Sequence, residues 1–193
     1  MFKNLTKSIL QIFISLLILI LFSCDGQDKL HKKPQQILEE NGLLESFSER
    51  IIYNPETYTE TVTDTLLHSG YQVHIKTYLA MNSNIIKSEI KDSLNIKTFY
   101  RNALAEVSVS LKKTTIFNQI VSKTFIGKNI KGAEETLQGY RLNSIWIDDG
   151  NFAVQDAILL RILYCKPDQV TDTKSYLLKI FETGNYKITE LKN

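Results

Sequence analysis

AILLRILYC, residues Ala157 to Cys165, is apolar on both alternating faces except at Arg161. A strand that is hydrophobic on both sides has both sides covered, so this segment is predicted to run through the middle of a sheet. Lys166-Pro167-Asp168 ends it. On its N-terminal side, Leu142 to Asp148 and Phe152 to Asp156 flank Asp149-Gly150, two residues that tolerate positive φ and favour a hairpin. On its C-terminal side, Tyr176 to Phe181 and Tyr186 to Leu191 are predicted to pair across Thr183-Gly184-Asn185.

Period-two alternation continues upstream. Tyr71, Val73, Ile75 and Leu79 share one face of a strand, with Gln72, His74 and Lys76 opposite, and His68-Ser69-Gly70 forms the turn from a threonine-rich strand at Thr59 to Leu67. Leu104 to Leu111 aligns Ala105, Val107, Val109 and Leu111. Ile85 to Ile90 and Ile96 to Tyr100 carry weaker strand patterns, and Thr114 to Phe125 fits a strand or a short helix. Gly127 to Gly139 reads as a loop with room for a helical turn. Some eight strands across residues 57–193 predict a mainly β chain. The expected fold is a single antiparallel β-sandwich or partly open barrel with a short N-terminal helical segment. Residues 35–52 favour helix with Ile37, Leu38, Leu44 and Phe47 inward and Gly42 as a divider, and Asn54-Pro55 stops it, giving a helical segment and linker over 37–56.

The N-terminus carries an address. Lys3 and Lys7 precede the apolar run Ile12 to Phe22, as in a secretory signal segment. At about 1.5 Å per residue the run spans roughly 16 Å, half of a ~30 Å hydrocarbon core, so a cleaved signal over 1–23 is expected rather than a retained anchor helix. The run closes in Leu21-Phe22-Ser23-Cys24, which resembles the lipobox of bacterial lipoproteins, although Phe22 is bulkier than the residues common there. The resemblance implies cleavage before Cys24 and a diacylglyceryl thioether on its sulfur, chemistry that uses the nucleophilicity of a thiolate. Two or more acyl chains give stable anchoring. Residues 24–36 are then a lipidated tether, and membrane lipid is the first expected partner.

Cleavage changes the charge. The chain has 23 basic and 21 acidic side chains; removing Lys3 and Lys7 leaves 21 of each, and net zero. No nucleic-acid partner is therefore expected. With Cys24 acylated, the second cysteine, Cys165, has no disulfide partner and reads as a small buried hydrophobe.

The reactive side chains form no catalytic pattern. His31, His68 and His74 lack metal-ligand spacing, no Gly-x-Ser-x-Gly elbow or phosphate-binding glycine loop is present, and no cofactor or metal is expected. Asp148, Asp149 and Asp156 near one hairpin could assemble a carboxylate pair or calcium site, but turn and strand-end chemistry already accounts for them. Arg161 is expected to pair with an acid or reach solvent along its stem. Trp146 is the remaining candidate for a binding surface. If Ile145 and Ile147 face the core, its indole faces outward, where it would stack on a sugar or anchor a partner; the high average burial of tryptophan favours a covered position instead.

Residues 57–193 resemble the single-domain lipoproteins of gut-dwelling and gliding Gram-negative bacteria that are assigned only to domains of unknown function. The resemblance rests on the lipobox, on Asp64-Thr65 to Tyr71-x-Val73-x-Ile75-x-Thr77-Tyr78, and on the Tyr176 to Leu191 hairpin. It implies a cell-envelope protein, at the outer membrane, with no catalytic residues to transfer. A binding or structural module with an unknown protein or glycan partner is expected; a carboxylate-based envelope hydrolase and an inhibitor or immunity-type lipoprotein are the alternatives.

Overall fold

The computed structural model describes residues 32–44, 49–67, 69–91, 94–148 and 157–191. Cys24, His31, Phe47, His68, Asp149-Gly150 and the segment Phe152 to Asp156 lie outside them. Among the described residues no helix is long and apolar enough to cross a membrane.

The protein is mainly β; the described residues form two sheets that do not close into a barrel and three short helices. The first sheet has the order β1-β4-β3-β2, with β5 also on β4: β1 is Glu49–Asn54, β2 Glu60–Leu66, β3 Tyr71–Lys91, β4 Leu94–Leu111 and β5 Thr114–Val121. The second is a plain meander of β6 (Arg141–Ile147), β7 (Ala157–Lys166), β8 (Gln169–Phe181) and β9 (Tyr186–Leu191). Helix α1 covers Pro34–Glu40; α2 (Lys123–Asn129) and α3 (Ala133–Thr136) lie between the sheets in sequence.

Alternation decides which residues meet. Tyr71, Val73 and Ile75 of β3 and Ala105, Val107 and Val109 of β4 face Ile158, Leu160, Ile162 and Tyr164 of β7 and Tyr176, Leu178 and Ile180 of β8 in one buried cluster. At roughly 1.5–3 kcal/mol for each large aliphatic side chain taken from water, this layer is the main source of stability. Strand β7 lies inside its sheet, and Ala157 to Leu160 are all buried, as a strand apolar on both faces requires. Cys165 is free and buried.

The segment Thr114 to Phe125 resolves into both of its alternatives. Strand β5 ends at Val121, and Ser122 caps α2, its Oγ accepting from the Phe125 N–H at 3.1 Å. Phe125 then packs with Phe117 and Tyr186, ring centroids 6.4 and 5.6 Å away, which ties α2 to β5 and β9. The 127–139 segment holds α3 and a 3-10 turn at Leu137–Gly139.

Three expectations need correction. Residues 49–52 are strand, not helix, because β4 offers them a partner; Tyr53 packs on Phe99 at 5.1 Å between centroids. Helix α1 begins at Pro34, inside the predicted tether, with proline at the start where its missing N–H costs nothing. Its Ile37 and Leu38 are half-buried, and none of its residues is buried. The two weak strands at 85–90 and 96–100 are the outer halves of β3 and β4, which stay extended throughout and resume pairing after a register shift between Ala80 and Asn84.

Candidate functional site

The bulge between Leu142 and Ser144 sets the phase of β6, so that Ile145 and Ile147 pack against the core while Trp146 turns outward. Trp146 is 39% exposed, against the expectation that it lies covered. Register places it opposite Arg161 of β7, which lies opposite Leu177 of β8 and then Thr189 of β9, one row across the outer face of the second sheet. Arg161 does find its acid. Its Nη2 donates to Asp148 Oδ2 at 2.8 Å and its Nε to the same oxygen at 3.3 Å. The Asp148 side chain is only 11% exposed, so the guanidinium is held by a nearly dry carboxylate. The register thus sets an indole and a carboxylate-held guanidinium on neighbouring strands of one face, a combination suited to stacking and hydrogen bonding with a ring or an amide plane.

The other sequence candidates do not converge. Asp148 is committed to Arg161, and Asp149 and Asp156 lie outside the described residues, so no carboxylate pair is assembled among those described. His74 Nδ1 sits 2.6 Å from Asp64 Oδ1 on the exposed β2–β3 face, an ordinary cross-strand pair given by the register Asp64↔His74. Among the described residues no group of three or more histidines, cysteines or acids stands where it could hold a metal ion. Lys112 and Lys113 form the β4–β5 turn with φ of 50° and 69°.

A cleft of about 630 Å³ lies where α2 and α3 meet the shifted β3–β4 ladder, lined by Ser83, Asn102, Ser122, Lys123, Glu134 and Gln138 among others. The helices close on each other because residue 127 is glycine: a Cβ there would stand 2.5 Å from Glu134 Cβ. Lys123 Nζ donates to the Gln138 carbonyl at 3.3 Å, and burial pushes its pKa down to about 8. Asn102 Nδ2 donates to Ser83 Oγ at 2.7 Å, and Thr124 Oγ1 to Glu134 Oε1 at 2.6 Å. One amine eased toward neutrality, with the Glu134 carboxylate engaged by Thr124, is not a catalytic set, since nothing described positions an acid and a base about a common point. The cleft was not visible in the sequence; its one local signal is Ser122 directly before Lys123, the cap that starts α2.

Fold and site together define an open β-sandwich with an exposed tryptophan and arginine on the outer face of its second sheet. No protein-family model matches the chain, and no curated protein is similar to it.

Proposed function

We propose that the protein is a lipid-anchored lipoprotein of the cell envelope, at the outer membrane, that binds a glycan or protein through the face bearing Trp146 and Arg161. The exposure of Trp146 on a filled sandwich carries the binding part of this reading. A large amphipathic ring left in water beside a fixed guanidinium suits recognition better than stability, since covering it would contribute more to folding. The address rests on Leu21-Phe22-Ser23-Cys24 after an apolar run too short for a comfortable span. The carboxylate-hydrolase alternative loses support because Asp148 already serves Arg161.

Trp146 is the chain's single tryptophan, so its intrinsic emission reports on this face alone. Titration with oligomers of N-acetylglucosamine is expected to quench or shift that emission saturably, and Arg161→Ala to weaken the response. A protein ligand would instead leave the emission unmoved by sugar while a photoreactive residue at position 146 cross-links to one envelope protein. Failure of both overturns the binding reading. For the address, intact mass of membrane-extracted protein should show an acylated chain beginning at Cys24, and Cys24→Ser should release it; an unmodified N-terminus elsewhere would overturn the anchor.

A further inference from the structure

We propose that two copies of this chain associate edge to edge through the outer half of β3, antiparallel about a two-fold axis at Ser88. Strand β2 covers the edge of β3 from Gln72 to Tyr78 only, and the Leu79 N–H still reaches the Thr59 carbonyl at 3.2 Å. Beyond that point the opposite edge of β3 stays paired with β4 out to Lys91. Among the described residues no strand covers the free edge from Ala80 to Lys91. Arg101 Nη1 takes the Met81 carbonyl at 2.6 Å, but from Asn84 on alternate backbone N–H and carbonyl groups are open to another strand, and the whole of Tyr71–Lys91 lacks proline and glycine, which would interrupt pairing.

The side chains say which strand fits. Ile86 and Ile90 are 60% and 83% exposed and lie on the same side of the ladder, two positions either side of Ser88. On the other side lie Lys87 and Glu89, one position either side of it. A two-fold axis at Ser88 sets Ile86 opposite the partner's Ile90 on one face and Lys87 opposite the partner's Glu89 on the other, each twice. Apolar meets apolar and cation meets anion throughout the centre of the contact. Moving the axis by one residue loses this. At Lys87 it sets Ile85 against Glu89 and Asn84 against Ile90; at Glu89 it sets Lys87 against Lys91. Lysine on an edge ordinarily discourages pairing, but here the segment brings its own counter-charge in the register that joins Ile86 to the partner's Ile90; an axis at Ile90 pairs Glu89 with Lys91 but leaves Ile86 outside the contact. The Lys87 ammonium already bonds Asp168 of the β7–β8 turn, which orients it, and the partner's Glu89 would add a second carboxylate to the same cation. The inference is independent of the ligand face and of the lipid anchor.

The full chain in detergent micelles tests it by light scattering coupled to size exclusion. The parent chain is expected to run as a dimer, and Glu89→Lys, which turns two attractive cross-strand pairs into two repulsive ones, to weaken dimerisation roughly ten-fold or more while leaving the far-UV spectrum unchanged. Ser88→Cys, opposite its own copy, should form a disulfide-linked dimer under mild oxidation much faster than Thr63→Cys, an exposed position on β2 that the contact does not include. A parent chain that stays monomeric at about 100 μM overturns the proposal. So does a dimer indifferent to Glu89→Lys, or Ser88→Cys cross-linking no faster than Thr63→Cys.

Discussion

Replacing Lys123 with methionine is expected to stabilise the protein near neutral pH and to remove a pH dependence that the wild type carries. In the folded chain burial lowers the ammonium from 10.5 to about 8; in the unfolded chain it returns to its ordinary value. Between these values the unfolded state binds more protons than the folded one, so this residue's contribution to stability rises with pH across that window. Below about 8 both states are charged, and the folded state carries the whole cost of holding the ammonium in the cleft. A gap of about 2.5 pH units at ~1.36 kcal/mol each sets a ceiling of roughly 3.4 kcal/mol. Lys123 is only partly buried and the cleft opens to water, so solvent screening reduces this to on the order of 1–2 kcal/mol. Methionine keeps the aliphatic length that packs along the cleft and drops the charge, at the expense of one long hydrogen bond to the Gln138 carbonyl. Urea unfolding is the assay. At about pH 7 Lys123→Met should be the more stable protein, and at about pH 9.5 the gap between the two should have narrowed. A variant less stable than its parent at pH 7, or a gap that does not change with pH, refutes the burial argument.

Two further substitutions test the turns. Gly184 has φ of +82° and a Cβ there would stand 2.7 Å from the Ile116 carbonyl oxygen, so Gly184→Ala joins backbone strain to a backbone clash and should cost about 2–3 kcal/mol in urea unfolding. An unchanged midpoint would mean that the β8–β9 turn does not rest on β5. The β4–β5 turn does the reverse, placing Lys112 and Lys113 at positive φ where asparagine and glycine fit better; Lys112→Asn with Lys113→Gly should gain on the order of 1 kcal/mol, and a loss would show that the lysines make compensating contacts.

How much of this was legible in the sequence depended on whether one face of a segment was dry. Where it was, alternation named the residues: Tyr71, Val73, Ile75 and Leu79 are all buried, and AILLRILYC is the interior strand that its two apolar faces require. Where neither face is dry, alternation has no cause, which is why Ile85 to Tyr100 looked like two weak strands rather than the ends of two long ones; Met81-Asn82-Ser83-Asn84, at the register shift, broke what pattern remained. Residues 49–52 went to helix because local preference was the only guide, and pairing with β4 overrode it. At Trp146 the local rule was the better one. Ile145 and Ile147 turn inward and force the indole outward, whatever the average burial of tryptophan. The cleft around Lys123 is assembled from separate segments between Ser83 and Gln138, and spacing along the chain carries no sign of it.

The distribution of the core bears on what the outer arm is for. The buried cluster and the side chains packed against it draw on residues from Leu67 to Ile188, yet none comes from 80–102. Ile86 and Ile90, 60% and 83% exposed, therefore do little for the stability of a single copy, and in a monomer they would be a liability on an uncovered edge. The β2 edge, also open to water, mixes threonine, glutamate and aspartate with Val62 and Leu66, which are 48% and 69% exposed. What sets the outer β3 edge apart is that its exposed isoleucines are the two positions that meet each other about Ser88. Stability and association should consequently separate by position. Glu89→Lys is expected to shift the monomer–dimer balance with little change in the unfolding of the monomer, whereas Leu178→Ala, at a fully buried site, should cost about 2–5 kcal/mol of folding stability. If Glu89→Lys instead lowered monomer stability by a comparable amount, the arm would be part of the folding unit, and the argument from its exposed isoleucines would fail.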